Sequence, residues 1–194
     1  LFGRYYRPVE EERIFVFLDM KGSTDLVRKL GNAHFHAFLS EAFFVMDAAI
    51  VEHGGEVVAY VGDSLIATWP MGGPKANARV LLSVRDVFRR LKAESGRFKR
   101  KCGAIPEFRA VAHGGPVVVG ECGDSKRQIT YLGDVLNVTA RLEEVAKMRG
   151  IDLAIAGPLF DQIDLPAGFS AVPLGALRLR GVAEPVKVYE VLMA

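Results

Sequence analysis

Apolar runs alternate with amphipathic segments along this chain, and the pattern predicts strands and helices in a definite order. Residues 13–19 (RIFVFLD) form a short run of bulky apolar residues, which predicts a buried strand. From Phe35 to Ile50 apolar residues recur at helical spacing, so we expect a core-facing helix there. The helical region is predicted to begin at Ser23 as N-cap and to end at the glycines after His53.

A hairpin is predicted after this helix, with strands at Glu56–Val61 and 65–69 around a Gly62-Asp63 turn. A second amphipathic helix, carrying apolar residues from Val80 to Leu91, is predicted after the Gly72-Gly73-Pro74 break.

Two further strands, at 108–112 and 117–120, are predicted on either side of a break at His113-Gly114-Gly115. This completes a β-α-β-β-α-β order, which is the ferredoxin-like arrangement. A strand at 129–132, a helix at 136–148 and a mixed tail ending in a strand at 186–192 follow. The predicted fold class is therefore α/β (α+β), a ferredoxin-like βαββαβ core with additional C-terminal strands and helices on an open sheet.

Composition limits the class of protein. The chain has 194 residues, half of them hydrophobic, which suits one domain with a sizeable core. With 25 basic and 23 acidic residues the net charge is +2, so we expect no nucleic-acid partner. The densest basic stretch, at 97–101, is predicted to be a solvated loop.

Cysteine content and hydropathy indicate a reducing compartment. Cys102 and Cys122 fit neither a metal-ligand spacing nor a disulfide framework. We find no signal peptide, and we expect no apolar run long enough to cross a bilayer.

Two aspartates, Asp19 and Asp63, are candidate ligands of a divalent metal ion. Asp19 ends the first strand and Asp63 lies in the hairpin turn, and strands in this order can lie side by side. Either residue alone is read more simply as a helix-capping or turn-forming carboxylate. Together, two carboxylates on neighbouring strands suit Mg²⁺ or Mn²⁺, which complete their coordination with substrate phosphates.

The turn Lys21-Gly22-Ser23-Thr24 links the first strand to a helix. Backbone amides at a helix N-terminus can bind an anion, so a triphosphate could bind there. Many strand-to-helix turns contain Gly and Ser, so this segment alone does not identify a phosphate site.

Five segments, taken together, resemble the successive signatures of class III adenylate and guanylate cyclase catalytic domains. They read, in order, FVFLDMKGSTDL, HGGEVVAYVGDSLIATWP, FRAVAHGGPVVVGECG, YLGDVLNVTARLEEVA and LRLRGVAEPVKVYEV. The match extends from about Ile14 to Leu192. The probability that five motifs match in order by chance is very low.

The resemblance implies specific roles at the metal site and around the phosphates. Asp19 and Asp63 match the two metal-binding aspartates, with the Met20 carbonyl as a further ligand for two ions of Mg²⁺ or Mn²⁺. Arg180 is similar to the basic residue that binds triphosphate oxygens.

Asn137 and Arg141 match the pair that stabilises the transition state in the family. They lie four residues apart on a predicted helix, so they share a face. A cap role for Asn137 and a surface role for Arg141 are the simpler alternatives, and the close match of the surrounding motif argues against them.

The implied reaction converts a nucleoside triphosphate to its 3′,5′-cyclic monophosphate and pyrophosphate. In the family, metals and transition-state residues come from opposite subunits, so a homodimer is expected. Residues 1–12 are expected to be a connector from an upstream regulatory or membrane segment, and residues 13–194 the catalytic domain. This predicts a cytoplasmic domain, with membrane anchoring of the full-length protein left open.

The base-selecting positions depart from the family pattern. A lysine is usual where this chain has Ala59, whereas Thr130 is a known occupant of its position. Losing one hydrogen bond costs about 0.5–1.5 kcal/mol. Three explanations stay open: the substrate is still ATP, it is GTP or a pyrimidine triphosphate, or the chain is a weak or inactive nucleotide-binding or dimerising module. The intact metal and transition-state positions favour ATP.

Overall fold

The computed structural model describes residues 5–125 and 127–194, so the first four residues of the expected connector lie outside it. In the described residues, eight strands form one mixed sheet: Val9–Met20 (β1), Glu56–Val61 (β2), Ser64–Pro70 (β3), Phe108–Cys122 (β4), Gln128–Leu132 (β5), Leu153–Ala156 (β6), Phe169–Leu177 (β7) and Val186–Met193 (β8). The helices are Ser23–Leu30 (α1), Asn32–Glu52 (α2), Pro74–Asn77 (α3), Arg79–Ala93 (α4), Ser95–Cys102 (α5), Asp134–Arg149 (α6) and Gly157–Phe160 (α7).

The sheet contains the predicted ferredoxin-like core. Its strand order is β2-β3-β1-β4-β6-β8-β7, and β5 pairs back onto β4. β1 is central and antiparallel to both β3 and β4. The C-terminal strands extend this core, because β6 runs parallel to β4 and β8 pairs with β6. The predicted fold class is confirmed.

Both faces of the sheet are covered by helices. Alternate residues of β1 such as Ile14 and Leu18 pack with α2 and α4, whereas Phe15 and Phe17 pack on the opposite face with α6. This explains why the last eight residues of β1 are all buried, a pattern expected of a strand covered on both sides.

The predicted break at His113-Gly114-Gly115 was wrong, because β4 continues through it from Phe108 to Cys122. Gly114 is needed here for space: a Cβ would lie 2.9 Å from Met71 Sδ and 3.2 Å from Leu159 Cδ1. His113 is mostly buried in the sheet, and this burial lowers its pKa to about 4.

The basic stretch predicted to be a solvated loop is instead the helix α5. Phe98 is 1% exposed and anchors this helix to the main core. Arg97 pairs with Glu94 at 2.5 Å, and both Arg97 and Lys101 pair with Glu41 of α2. One buried aromatic among charged residues was too weak a periodic signal to predict the helix.

The start of the first helical region also differs from the prediction. Ser23 is the first residue of α1 rather than its cap, and no side chain caps the helix. Gly22 holds the cap position at φ 67°, a left-handed conformation that favours glycine. The region is divided at Gly31 into α1 and α2.

α2 is a 21-residue helix that is long and apolar enough to cross a membrane by length and composition. The expectation that no such run exists was therefore wrong. Yet Phe38, Ala42 and Met46 of this helix are fully buried in the main core. The core helices of globular proteins pass the same test, so the helix is weak evidence of a span.

Candidate active site

Asp19 and Asp63 lie close together at one end of the sheet. The register pairs Asp19 of β1 with Ser64 of β3, and Asp63 immediately precedes Ser64 in the β2–β3 turn. The Ser64 hydroxyl donates a hydrogen bond to Asp19 Oδ1 at 3.2 Å. The hairpin therefore brings together the two carboxylates that the sequence singled out.

Arg109 completes this cluster from β4, and the sequence analysis missed it. It is the register partner of Asp19 on the other side of β1, and its Nε lies 3.4 Å from Asp19 Oδ2. Arg109 is 8% exposed, and its Nε and one terminal nitrogen have no hydrogen-bond partner among the described residues. An arginine inside the apolar run FRAVA was the available signal, because a buried cation needs a carboxylate nearby.

Two α6 side chains, Glu143 and Lys147, also act on this cluster. Burial raises the pKa of Asp19, and the negative charge of Asp63 raises it further, whereas the Lys147 ammonium lowers it. Burial, followed by the charge of Asp19, raises the pKa of Glu143 to about 7. Three carboxyl groups thus share one electrostatic site, and sequence reasoning found two of them.

The predicted transition-state pair lies on a different side of α6. Successive residues of an α-helix are about 100° apart, so Glu143 stands about 200° from Arg141 around the axis. Asn137 is exposed, and Arg141 donates a 2.5 Å hydrogen bond to Glu144. In the described part of the chain, no hydrogen bond or ion pair joins Asn137 or Arg141 to Asp19 or Asp63.

The predicted triphosphate turn is divided between two places. Ser23 and Thr24 line a groove of about 390 Å³ together with Asp63 and Gly62. Lys21 instead forms an ion pair with Asp152. The start of α1 therefore lies beside Asp63, while the Lys21 ammonium is paired with Asp152.

Met20 and Arg180 complete the set of predicted site residues. The Met20 side chain is 1% exposed in the main core, so only its backbone is available to a ligand. Arg180 is exposed in the segment between β7 and β8 and makes no ion pair or hydrogen bond with the described residues.

The two base-selecting positions line one groove of about 600 Å³. Ala59 of β2 and Thr130 of β5 share it with Ile66, Tyr131 and Leu136. Its walls are mainly apolar and also carry the polar side chains of Glu56, Arg127, Gln128 and Thr130, a mixed lining that suits a flat, partly polar ring. The structure thus places Ala59 and Thr130 on one groove, and their role in selecting the base stays a prediction.

The carboxylate cluster fits a divalent cation. Asp19 Oδ2 is buried and has no hydrogen-bond partner among the described residues. Leaving such an oxygen unpaired is costly, and a hard cation prefers oxygen ligands of this kind. No group of three or more acidic, His or Cys ligands occurs in the described part of the chain. Mg²⁺ retains water and phosphate ligands, so two carboxylates suffice.

Comparisons with known proteins agree with this geometry. The model of the adenylate and guanylate cyclase catalytic domain matches residues 6–192. The chain is 35% identical over 188 residues to adenylate cyclase 2 of Rhizobium meliloti, covering 97% of this chain and 52% of the relative. It is 26% identical over 180 residues to an adenylate cyclase of Anabaena cylindrica, covering 91% of this chain and 36% of that protein.

Solved structures share the fold. The adenylyl cyclase CyaB from P. aeruginosa superposes with a TM-score of 0.84 at 18% identity, covering 97% of both chains. The guanylate cyclase domain of RhGC from Catenaria anguillulae, solved with GTP, gives 0.80 at 21% identity, covering 95% of this chain and 98% of that one. The chain spans about half the length of the Rhizobium meliloti adenylate cyclase 2 and about a third of the Anabaena cylindrica adenylate cyclase.

Proposed function

We propose that this chain, which belongs to the adenylate and guanylate cyclase catalytic domain family, converts ATP to 3′,5′-cyclic AMP and pyrophosphate. The observation that carries the proposal is the buried Asp19 oxygen without a hydrogen-bond partner, beside Asp63 and the N-terminus of α1. A carboxylate pair next to helix amides suits a metal-bound triphosphate.

Asp19 and Asp63 are the proposed ligands of Mg²⁺ or Mn²⁺, with the Met20 carbonyl as a further oxygen and two ions per site. A bound divalent ion supplies Lewis-acid activation of the ribose hydroxyl and neutralises phosphate charge. Arg109 balances part of the carboxylate charge from its buried position beside Asp19. Arg180, Ser23, Thr24 and the Gly22 amide are proposed as further triphosphate contacts, as is Lys21 once it is released from Asp152.

In the proposed reaction the ribose 3′ hydroxyl loses its proton to solvent, its oxygen forms a bond to the α-phosphorus, and the bond from that phosphorus to pyrophosphate breaks. Negative charge grows on the α-phosphoryl oxygens, where Arg141 compensates it; an arginine in this role can contribute about 10³-fold in rate. Asn137 orients the ribose through its exposed amide.

The active unit is proposed to be a homodimer. Asn137 and Arg141 lie on a different side of α6 from Glu143, whose charge interacts with Asp19, so one chain does not assemble a complete site. A two-fold axis would bring Asn137 and Arg141 of one protomer to the metal-binding aspartates of its partner, and would create two equivalent sites.

Among ATP, GTP, CTP and UTP, ATP is the proposed substrate. Thr130 lines the groove with Ala59, and its hydroxyl can take part in a hydrogen bond with the base. Curated relatives that match most of this chain are named adenylate cyclases, which agrees with this choice.

A nucleotide panel tests the proposal. Purified chain is incubated with ATP, GTP, CTP or UTP and with Mg²⁺ or Mn²⁺, and cyclic product and pyrophosphate are quantified. We expect cyclic AMP as the main product, and its loss in Asp19→Ala while the far-ultraviolet circular dichroism is unchanged. No product from any nucleotide with either metal would refute a cyclase function, and full activity of Asp19→Ala would refute the metal assignment.

A further inference from the structure

A buried arginine, Arg13, lies on the central strand β1 and is 3% exposed. Its Nε donates a hydrogen bond to Glu11 Oε2 at 2.7 Å, and its Nη2 donates to the Tyr5 hydroxyl at 3.3 Å. The Tyr5 hydroxyl donates in turn to Glu11 Oε1 at 3.0 Å. Because the guanidinium is planar and its donors point in fixed directions, these contacts set its orientation.

The remaining nitrogen of Arg13 faces the groove that Ala59 and Thr130 line. Nη1 lies 3.7 Å from Glu56 Oε2, and Cζ lies 5.5 Å from the centre of the Tyr131 ring. Glu56 and Tyr131 both line that groove. The 3.7 Å separation is an ion pair that is too long for a hydrogen bond. One buried cation therefore contacts two lining residues of the groove.

The strand order explains how one side chain reaches both walls of the groove. On one side of β1 lies β3, which pairs with β2, and on the other side lies β4, which pairs with β5. Glu56 is on β2 and Tyr131 is on β5, and these two strands are not neighbours in the sheet. Phe15 of β1 also packs edge-on against the Tyr131 ring, with 5.5 Å between ring centres. Side chains of β1 thus contact both walls from the floor between them.

Both residues that Arg13 contacts can interact with a nucleobase. A carboxylate oxygen accepts a hydrogen bond from an amino group of the base, and an aromatic ring can pack against its flat face. A side chain that is ordered before binding loses less conformational entropy when the ligand arrives. Holding Glu56 and Tyr131 in place therefore favours binding of the base.

We propose that Arg13 is a positioning residue of the nucleotide groove, which holds Glu56 and Tyr131 where they meet the base. The inference rests on the proposed function and extends it to a residue that is itself buried away from the ligand. Since Arg13 acts on the groove and not on the carboxylate cluster, its loss should weaken binding of the base and leave binding of the phosphates unchanged.

Two ligands separate the groove from the proposed metal site. The dissociation constants of 3′-deoxy-ATP, which cannot cyclise, and of inorganic tripolyphosphate, which has no base, are measured with Mg²⁺. The variants are Arg13→Lys, Glu56→Gln, Tyr131→Leu, Tyr131→Phe and the Arg13→Lys/Glu56→Gln double variant. Arg90→Lys is the matched control, because Arg90 also pairs with two carboxylates but does not line the groove.

We expect Arg13→Lys to weaken binding of 3′-deoxy-ATP by about 2- to 10-fold, the effect of one ordinary hydrogen bond. Lysine keeps the charge but lacks the planar fork. Glu56→Gln and Tyr131→Leu should act in the same direction, whereas Tyr131→Phe, which retains the ring, should bind as wild type does. The double variant should lose less than the product of the two single losses, since both substitutions break one ion pair.

Tripolyphosphate binding and turnover distinguish positioning from a general loss of structure. Binding of tripolyphosphate should change by less than about 2-fold in every variant, and Arg90→Lys should bind both ligands as wild type does. With ATP as substrate, Arg13→Lys should raise KM and leave kcat nearly unchanged, because contacts to the base are equal in the ground state and the transition state.

Equal weakening of both ligands by Arg13→Lys overturns the inference, and so does unchanged binding of 3′-deoxy-ATP. If circular dichroism shows that Arg13→Lys does not fold, Tyr5→Phe takes its place, since it removes only a hydroxyl that accepts from Arg13. Selective weakening by Tyr5→Phe then supports the inference, and unchanged binding contradicts it.

The outcome is separable from that of the proposed function. If wild type binds 3′-deoxy-ATP but forms no cyclic AMP from ATP, the proposed reaction fails and the ratio of the two affinities still decides the role of Arg13. If wild type forms cyclic AMP and Arg13→Lys binds 3′-deoxy-ATP normally, only the role of Arg13 fails. If wild type neither binds the analogue nor forms product, both proposals fail.

Discussion

At the scale of single residues, the candidate site concentrates negative charge that the fold only partly compensates. Asp19 is 4% exposed and is held by Ser64 on one side and Arg109 on the other. The separation of 3.4 Å from Arg109 Nε satisfies an ion pair but not a well-formed hydrogen bond. This incomplete pairing is the observation on which the proposed binding of a divalent cation rests.

The raised pKa of Glu143 makes the free energy of unfolding depend on pH. Its folded-state pKa is raised from 4.5 to about 7, so the folded chain binds a proton more tightly than the unfolded chain. Its contribution to the free energy of unfolding is therefore complete below about pH 4.5 and is lost as the pH rises to about 7.

We predict that Glu143→Gln, which cannot ionise, removes this part of the pH dependence. In urea unfolding without divalent ions, the variant should gain stability relative to wild type between pH 5 and pH 8. The gain should be on the order of 1 kcal/mol, since solvent screens a half-exposed group. Glu144→Gln, on the exposed side of the same helix, should follow the wild-type pH dependence. A Glu143→Gln curve parallel to wild type would contradict the proximity of Glu143 to the aspartates.

At the scale of elements, the long strand β4 carries more of the site than its sequence indicated. It positions Arg109 beside Asp19 at one end and Gly120 and Cys122 beside Thr130 at the other. A break at His113-Gly114-Gly115 would have separated these two groups. The continuous strand instead connects the carboxylate cluster and the groove of Ala59 and Thr130 through one element.

Alanine substitutions at two neighbouring glycines of β4 test whether the strand needs glycine for lack of space. We predict that Gly114→Ala lowers the free energy of unfolding by about 1–3 kcal/mol, because the new methyl group overpacks the core against Met71 and Leu159. Gly115→Ala is the matched control, since its nearest neighbour would be Val135 at 3.8 Å. Urea denaturation measures both. Equal losses would mean that backbone conformation, rather than space, requires glycine here.

At the scale of the whole molecule, the two halves of the site lie on different sides of the chain. Asn137 and Arg141 occupy the side of α6 turned away from Glu143, and no described contact joins them to Asp19 or Asp63. This separation is the reason for the proposal that the active unit is a dimer in which each copy contributes the residues that the other lacks.

Mixing two inactive variants tests this arrangement. Asp63→Ala and Arg141→Ala should each be inactive alone, because each loses one half of both sites. After random subunit exchange at equal amounts, half of the dimers are mixed and each has one intact site. We therefore predict recovery of about a quarter of wild-type activity. Absence of recovery, with exchange verified by differently tagged subunits, would argue for a site contained in one chain.

Local pattern predicted much of the fold. The β2–β3 hairpin, α6 and the end of α2 after Glu52 agree with the sequence expectations, because periodicity and turn residues act between near neighbours. α5 and the continuity of β4 were mispredicted because each depends on contacts between residues that are distant in the sequence. Phe98 and Gly114 are explained by what they contact across the core, and that information is not local.

The sequence by itself determined the order of the ferredoxin-like core elements, the family and the candidates Asp19, Asp63, Asn137 and Arg141, since these depend on residue types at fixed spacings. Only the tertiary structure decided which of them meet. It paired Arg109 with Asp19, turned Lys21 to Asp152, separated Arg141 from the aspartates and placed Cys122 against Thr130. These side-chain contacts depend on strand register and on the rotation of each helix about its axis. Both are fixed by long-range packing that no local stretch of sequence specifies.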